Sequence, residues 1–95
     1  MIGTGLAFER LHLPVYRRLK DDYRIVALCD QDVTRAKSHQ QELCLADDQI
    51  YQDWRPMVAR DDVDVIDIMV PIELNFAMTA AVARTISGSA KGIIC

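Results

Sequence analysis

The residues with the clearest chemical potential stand at the start of the chain, in Met1-Ile2-Gly3-Thr4-Gly5-Leu6-Ala7-Phe8. A scrap of apolar strand runs into Gly-x-Gly and then into residues that can open a helix. A helix N-terminus offers unpaired N–H groups and the positive end of its dipole, which together hold a phosphate. Gly3 permits a tight turn and Gly5 permits close approach of a diphosphate. Thr4, Leu6 and Ala7 would then lie along the ligand, Thr4 and Leu6 chiefly through backbone N–H groups. The position where a third small residue lets the helix pack on the strand is Phe8, a departure from the pattern. Gly-x-Gly alone fits a ligand-free strand-to-helix turn equally well.

Asp30 is the second candidate. It follows an apolar run, 25 residues after Gly5. A carboxylate there can accept from both hydroxyls of an adenosine ribose and repels a 2′-phosphate. Asp32 adds a second negative charge, and Arg35 is the nearby cation, so NAD is favoured over NADP. The alternative for Asp30 is a strand-ending cap. Val70-Pro71 closes another apolar run, and residues 70–75 would line the same ligand, with Asn75 offering its amide or merely starting a helix. No catalytic set can be assembled from spacing. His12 and His39 read as exposed helix residues, and no cluster has metal-ligand spacing.

The elements that must carry these residues follow from periodicity. Leu11, Val15 and Leu19 recur at helical spacing and could face a core, with Pro14 kinking or restarting that helix. Tyr23–Cys29 reads as a buried strand and Asp32 as the N-cap of a second helix, whose weak inner face is Val33, Ala36, Gln40 and Leu43. Ile50-Tyr51 is a brief strand, and Asp53 caps a helix to about Arg60. Residues 63–70 form the clearest strand. Leu74, Met78, Val82 and Ile86 predict an amphipathic helix. Gly92–Cys95 starts a last strand. Strands alternating with helices specify an α/β chain: a three-layer, doubly wound parallel sheet with its first strand truncated to Met1-Ile2.

Ninety-five residues make a single domain, 1–95. The net charge of −3 comes with no basic run, which argues against a nucleic-acid or membrane surface. No apolar run approaches the ~20 residues of a membrane helix, and no signal peptide is legible. Cys29, Cys44 and Cys95 are odd in number, lack metal spacing and read as small packed residues. A cytoplasmic setting is expected.

These segments are familiar in combination. Ile2-Gly3-Thr4-Gly5-Leu6-Ala7, Leu11-His12-Leu13-Pro14, Ile25–Asp30 and Asp64–Pro71 together resemble the Gfo/Idh/MocA oxidoreductases over essentially the whole chain. The resemblance implies a Rossmann-like NAD(P)-binding domain and hydride transfer to or from a sugar, cyclitol or related hydroxy compound. It further implies cofactor contacts from Gly3, Gly5, Leu6, Asp30, Val70, Pro71 and Asn75. Members of that family continue into Glu-Lys-Pro, whose lysine lies at the active site, and then into a substrate domain. Neither is present here, and Lys91 is not that lysine.

Three readings follow. The chain is the cofactor portion of such an oxidoreductase, inactive alone; or a free-standing nucleotide-binding module or subunit, a homo-oligomer among its forms; or a methyltransferase using S-adenosylmethionine on a similar fold. The Val70-Pro71 context favours the first. The short first strand leads us to expect a groove in the middle of the sheet and weak cooperativity in the isolated chain.

Overall fold

The computed structural model describes residues 1–5, 8–19 and 21–94. Its strands are short and parallel: β1 (Leu28–Cys29), β2 (Ile50–Tyr51), β3 (Val65–Asp67) and β4 (Gly92–Ile94). β1 pairs with β2, and β3 with β4. Ile2 joins the two pairs, bridging in parallel to Cys29 on one side and Ile68 on the other. The order across the sheet is therefore β2–β1–Ile2–β3–β4. The first residues of the chain occupy the centre, and the strand order reverses around them.

That joint rests on a continuous ladder. Cys29 N–H donates to the Met1 carbonyl and Gly3 N–H to the Cys29 carbonyl, both at 2.8 Å. On the other side Ile2 N–H donates to the Asp67 carbonyl and Met69 N–H to the Ile2 carbonyl, also at 2.8 Å. Because a parallel strand sends alternate residues to opposite neighbours, the three residues Met1–Gly3 suffice to tie both halves together at this level.

Helices cover both faces. A π-helical turn, Phe8–His12, leads into α1 (Leu13–Arg18), with Pro14 in the first turn of α1, where its missing N–H costs nothing. α2 (Val33–Lys37) is capped by Asp32, whose carboxylate accepts from Arg35 N–H. α3 (Trp54–Val58) is capped by Asp53, which accepts from Arg55 N–H at 3.0 Å. α4 (Ile72–Ile86) follows Pro71. One core packs Ile2, Cys29, Ile66 and Ile68 under Trp54, Met57 and Val82 of α3 and α4. The other packs Met1 and Leu28 under Leu13 and Ala36 of α1 and α2. Alternate strand residues thus point to opposite helix layers, as the period of two requires, and the three-layer doubly wound architecture follows.

Several expectations need correction. Leu11, Val15 and Leu19 do not face the core; they are 64, 46 and 36 % exposed. The helix is rotated so that Leu13 is buried and His12 and Tyr16 point at the sheet. The strand expected over Tyr23–Cys29 is ladder-paired only at Leu28–Cys29. Residues 23–27 run beside it without a strand partner at that level and, with residues 62–67, line a cleft of about 200 Å³ beneath Met1. This is the expected groove. Ile2 nevertheless closes the sheet above it. The second helix stops at Lys37, and of its expected inner residues Ala36 is the fully buried one. His39 is buried, not exposed. Cys29 is packed as expected, whereas Cys44 is exposed with φ of 56°. Leu74 is 52 % exposed, while Val82 of the same helix is fully buried. Cys95 lies outside the described residues.

Candidate functional site

The glycine turn sits at the carboxyl ends of the central strands, where the strand order reverses. Open parallel sheets place ligands at this point. Gly3 has φ of +90°, a conformation that L side chains rarely adopt. A Cβ there would lie 2.3 Å from the Met69 carbonyl oxygen and 3.5 Å from Val70 N. Gly3 is thus demanded by the packing of the turn against the end of β3. Gly5 differs. Among the described residues, a Cβ on it would meet only the Arg35 guanidinium, at 3.4 Å. One glycine makes the turn and the other lies beside Arg35.

Asp30 is brought directly to this turn. Its Oδ2 accepts from Thr4 N–H at 3.0 Å and from the Thr4 hydroxyl at 2.8 Å. Its Oδ1 accepts from Asp32 N–H at 2.9 Å. Burial alone would raise its pKa, but these donors and the nearby Arg35 hold it below the ordinary carboxylate value. Asp30 is therefore a carboxylate at neutral pH, with its side chain 10 % exposed. Thr4 is fully buried. Its N–H, expected to face a diphosphate, is engaged with Asp30 instead, so Thr4 links the turn to the Asp30 carboxylate.

The site residues divide accordingly. Gly3, Thr4, Gly5, Asp30 and Val70 converge. Pro71 is exposed at the entry of α4, and Asn75 lies in its first turn, its Oδ1 accepting from the Thr79 hydroxyl at 3.3 Å. Leu6 and Ala7 lie outside the described residues.

Sequence reasoning gave two groups no place in the site. Arg35, named only as a nearby cation, has Nη1 3.9 Å from Asp30 Oδ2 and packs beside Gly5. Its position in the first turn after Asp32 was the available signal. Asp67, one of two carboxylates in the 63–70 run, is 2 % exposed, and its Oδ2 accepts from Tyr16 Oη at 2.7 Å and lies 2.9 Å from His12 Nδ1. A carboxylate in a run as apolar as Val65–Val70 signals a buried partner, but the partners are more than fifty residues away. Lys91 is far from this constellation in function. Its Nζ donates to the carbonyls of Val58 and Arg60. Among the described residues no group of His, Cys, Asp and Glu could hold a metal ion, and no helix is long and apolar enough to cross a membrane.

Comparison with known proteins now bears on this geometry. Residues 1–86 match the model of the Gfo/Idh/MocA family, described as an oxidoreductase family with an NAD-binding Rossmann fold. The chain belongs to that family. An oxidoreductase domain protein from Kribbella flavida superimposes with a TM-score of 0.74 at 20 % identity, over 99 % of this chain and 24 % of that one. This shows the fold alone. An NAD-binding oxidoreductase from Klebsiella pneumoniae superimposes with a TM-score of 0.68 at 31 % identity, over 97 % of this chain and 24 % of that one. An uncharacterized protein of Saccharomyces cerevisiae is 23 % identical over 75 residues, 79 % of this chain and 22 % of that protein. This Gfo/Idh/MocA chain thus spans about a quarter or less of each relative.

Proposed function

We propose that this chain is the NAD-binding portion of a Gfo/Idh/MocA-like oxidoreductase that moves a hydride to or from a sugar, cyclitol or related hydroxy compound, and that it is inactive alone. The observation that carries the reading is the meeting of the Gly3–Gly5 turn with Asp30 at the reversal point of the sheet. Gly5 would admit the diphosphate. Asp30, ionised and positioned by Thr4 and Asp32, has one further lone pair on Oδ1 for a ribose hydroxyl. Its charge favours NAD over NADP, since a 2′-phosphate would face a carboxylate, with Arg35 offsetting only part of the repulsion. Val70, Pro71 and Asn75 would border the nicotinamide half, and Leu6 and Ala7 the diphosphate. NAD supplies the hydride acceptor or donor. The residues here bind and orient it. The cysteine pattern, with Cys29 buried as a thiol, supports a cytoplasmic setting.

Calorimetric titration tests this. NAD should bind at least tenfold more tightly than NADP, and Asp30→Ala should remove that preference. No binding of either dinucleotide would overturn the reading. Mixing the chain with NAD and a panel of sugars and cyclitols should give no reduced cofactor; steady turnover would overturn the assignment of inactivity.

A further inference from the structure

Asp67 touches both flanks of the glycine turn. Through its backbone it holds the incoming strand, its carbonyl accepting from Ile2 N–H at 2.8 Å. Through its side chain it holds the outgoing helical segment. Tyr16 Oη donates to Oδ2 at 2.7 Å, and His12 Nδ1 lies 2.9 Å from the same oxygen. A carboxylate only accepts, so the proton of the imidazole sits on Nδ1 in this contact. His12 and Tyr16 are four residues apart and therefore share one helix face, the face that carries Leu13 into the core on its flank.

The arrangement is expensive for a structural filler. Asp67 is 2 % exposed, and its Oδ1 is buried with no hydrogen-bond partner among the described residues. An unpaired buried carboxylate oxygen is unfavourable. An apolar residue on this strand would pack with less penalty, as Ile66 and Ile68 do on the opposite face. What the carboxylate adds is a directional, two-donor tie between β3 and the helix that leaves the turn. The donors of a phosphate-gripping turn must be fixed relative to the strand ends, and the turn spans the gap between the two points that Asp67 fastens.

We propose that the Asp67–His12–Tyr16 cluster is a positioning device for the cofactor turn, setting the geometry of residues 3–5 without touching the dinucleotide. This rests on the proposed dinucleotide site, but its test does not depend on it alone. Asp67→Asn keeps both hydrogen bonds, because an amide oxygen also accepts twice. Asp67→Leu removes both and leaves a packed, apolar residue. The Tyr16→Phe/His12→Phe pair removes the donors from the other side.

In a calorimetric titration with NAD, Asp67→Leu should lose about tenfold in affinity. Asp67→Asn should stay within about threefold of the unsubstituted chain, and the donor pair should match Asp67→Leu with no further loss when combined with it. Amide hydrogen exchange in the ligand-free chain gives the second readout. In Asp67→Leu the Gly3, Thr4 and Gly5 amides should exchange at least tenfold faster, while Leu28 and Ile50 stay within twofold. Unchanged NAD affinity in Asp67→Leu overturns the proposal, as does equal loss in Asp67→Asn, or uniform acceleration at all five amides. Should the unsubstituted chain bind no dinucleotide, the functional reading fails, and the exchange pattern by itself decides whether Asp67 holds the turn.

Discussion

The upper and lower levels of the central sheet behave differently. At the upper level Ile2 is 3 % exposed, the Met1–Gly3 backbone is hydrogen-bonded into both neighbours, and the turn above it is tied down by Asp30 and Asp67. At the lower level residues 23–27 and 62–67 line a cleft, Tyr23 is 47 % exposed and Val65 is 40 % exposed. Ladder alternation turns the Ala27 N–H and the Val65 carbonyl toward that cleft. The lesson is that one bridged residue closes a parallel sheet locally but supports nothing below it. The candidate site borrows its order from hydrogen bonds to side chains as much as from the sheet.

The sharpest way to break this contrast is at the upper level. Gly3→Ala combines a φ of +90° with a Cβ 2.3 Å from a backbone oxygen, and should cost on the order of 4 kcal/mol or prevent folding. Gly92→Ala, where nothing lies within 4 Å, should change stability by less than about 0.5 kcal/mol. Urea unfolding of the two variants makes the comparison.

Next in size, Ile2→Ala should cost about 3 kcal/mol, as expected for truncating a buried aliphatic residue, whereas Val65→Ala at the cleft should cost about 0.5 kcal/mol or less. Similar losses at both positions would mean that the lower level is as well packed as the upper.

The boundary between the levels has a pH signature. The Met1 ammonium donates to the Ala27 carbonyl, and burial, opposed by the Asp67 charge, lowers its pKa from 8.0 to about 6. The unfolded chain therefore binds a proton that the folded chain resists between those values, and stability should fall as pH drops from 8 to 6. At roughly 1.4 kcal/mol per unit, the fall is on the order of 2 kcal/mol. Chemical denaturation across that range, with and without N-terminal acetylation, should show it in the free-amine chain only.

The smallest expected effect lies in the turn. Thr4→Val keeps the N–H bond to Asp30 and removes the hydroxyl bond, costing about 1 kcal/mol at pH 7. The depressed Asp30 pKa means that its stabilisation is complete above the unfolded carboxyl value near 3.8 and is lost as pH falls through the lower folded value. With the hydroxyl gone the depression shrinks, so the acid limb of the stability profile should become shallower.

Much of the architecture was legible in the chain. Asp32 and Asp53 as caps, Pro14 as the start of α1, Ile50-Tyr51 as a strand and residues 72–86 as a helix follow from local rules, because caps and periodicity act within a few residues. The α1 face did not follow. Leu11, Val15 and Leu19 have ideal spacing, yet they face solvent, because the polar pair His12 and Tyr16 is drawn inward by Asp67. Periodicity ranks residues by hydrophobicity and is blind to a carboxylate placed on another strand.

The same division holds for the glycine turn. The local sequence determined that a Gly-x-Gly turn follows Met1-Ile2 and that a carboxylate follows at the end of the next strand, since glycine permissiveness and strand termination are local properties. Only the tertiary structure decided which groups serve which end. It packs Gly3 against Met69, sets Gly5 beside Arg35, assigns Thr4 to Asp30 and fastens both sides of the turn to Asp67. Those choices depend on which distant residues the sheet brings within hydrogen-bond reach, and chain spacing carries no measure of that distance.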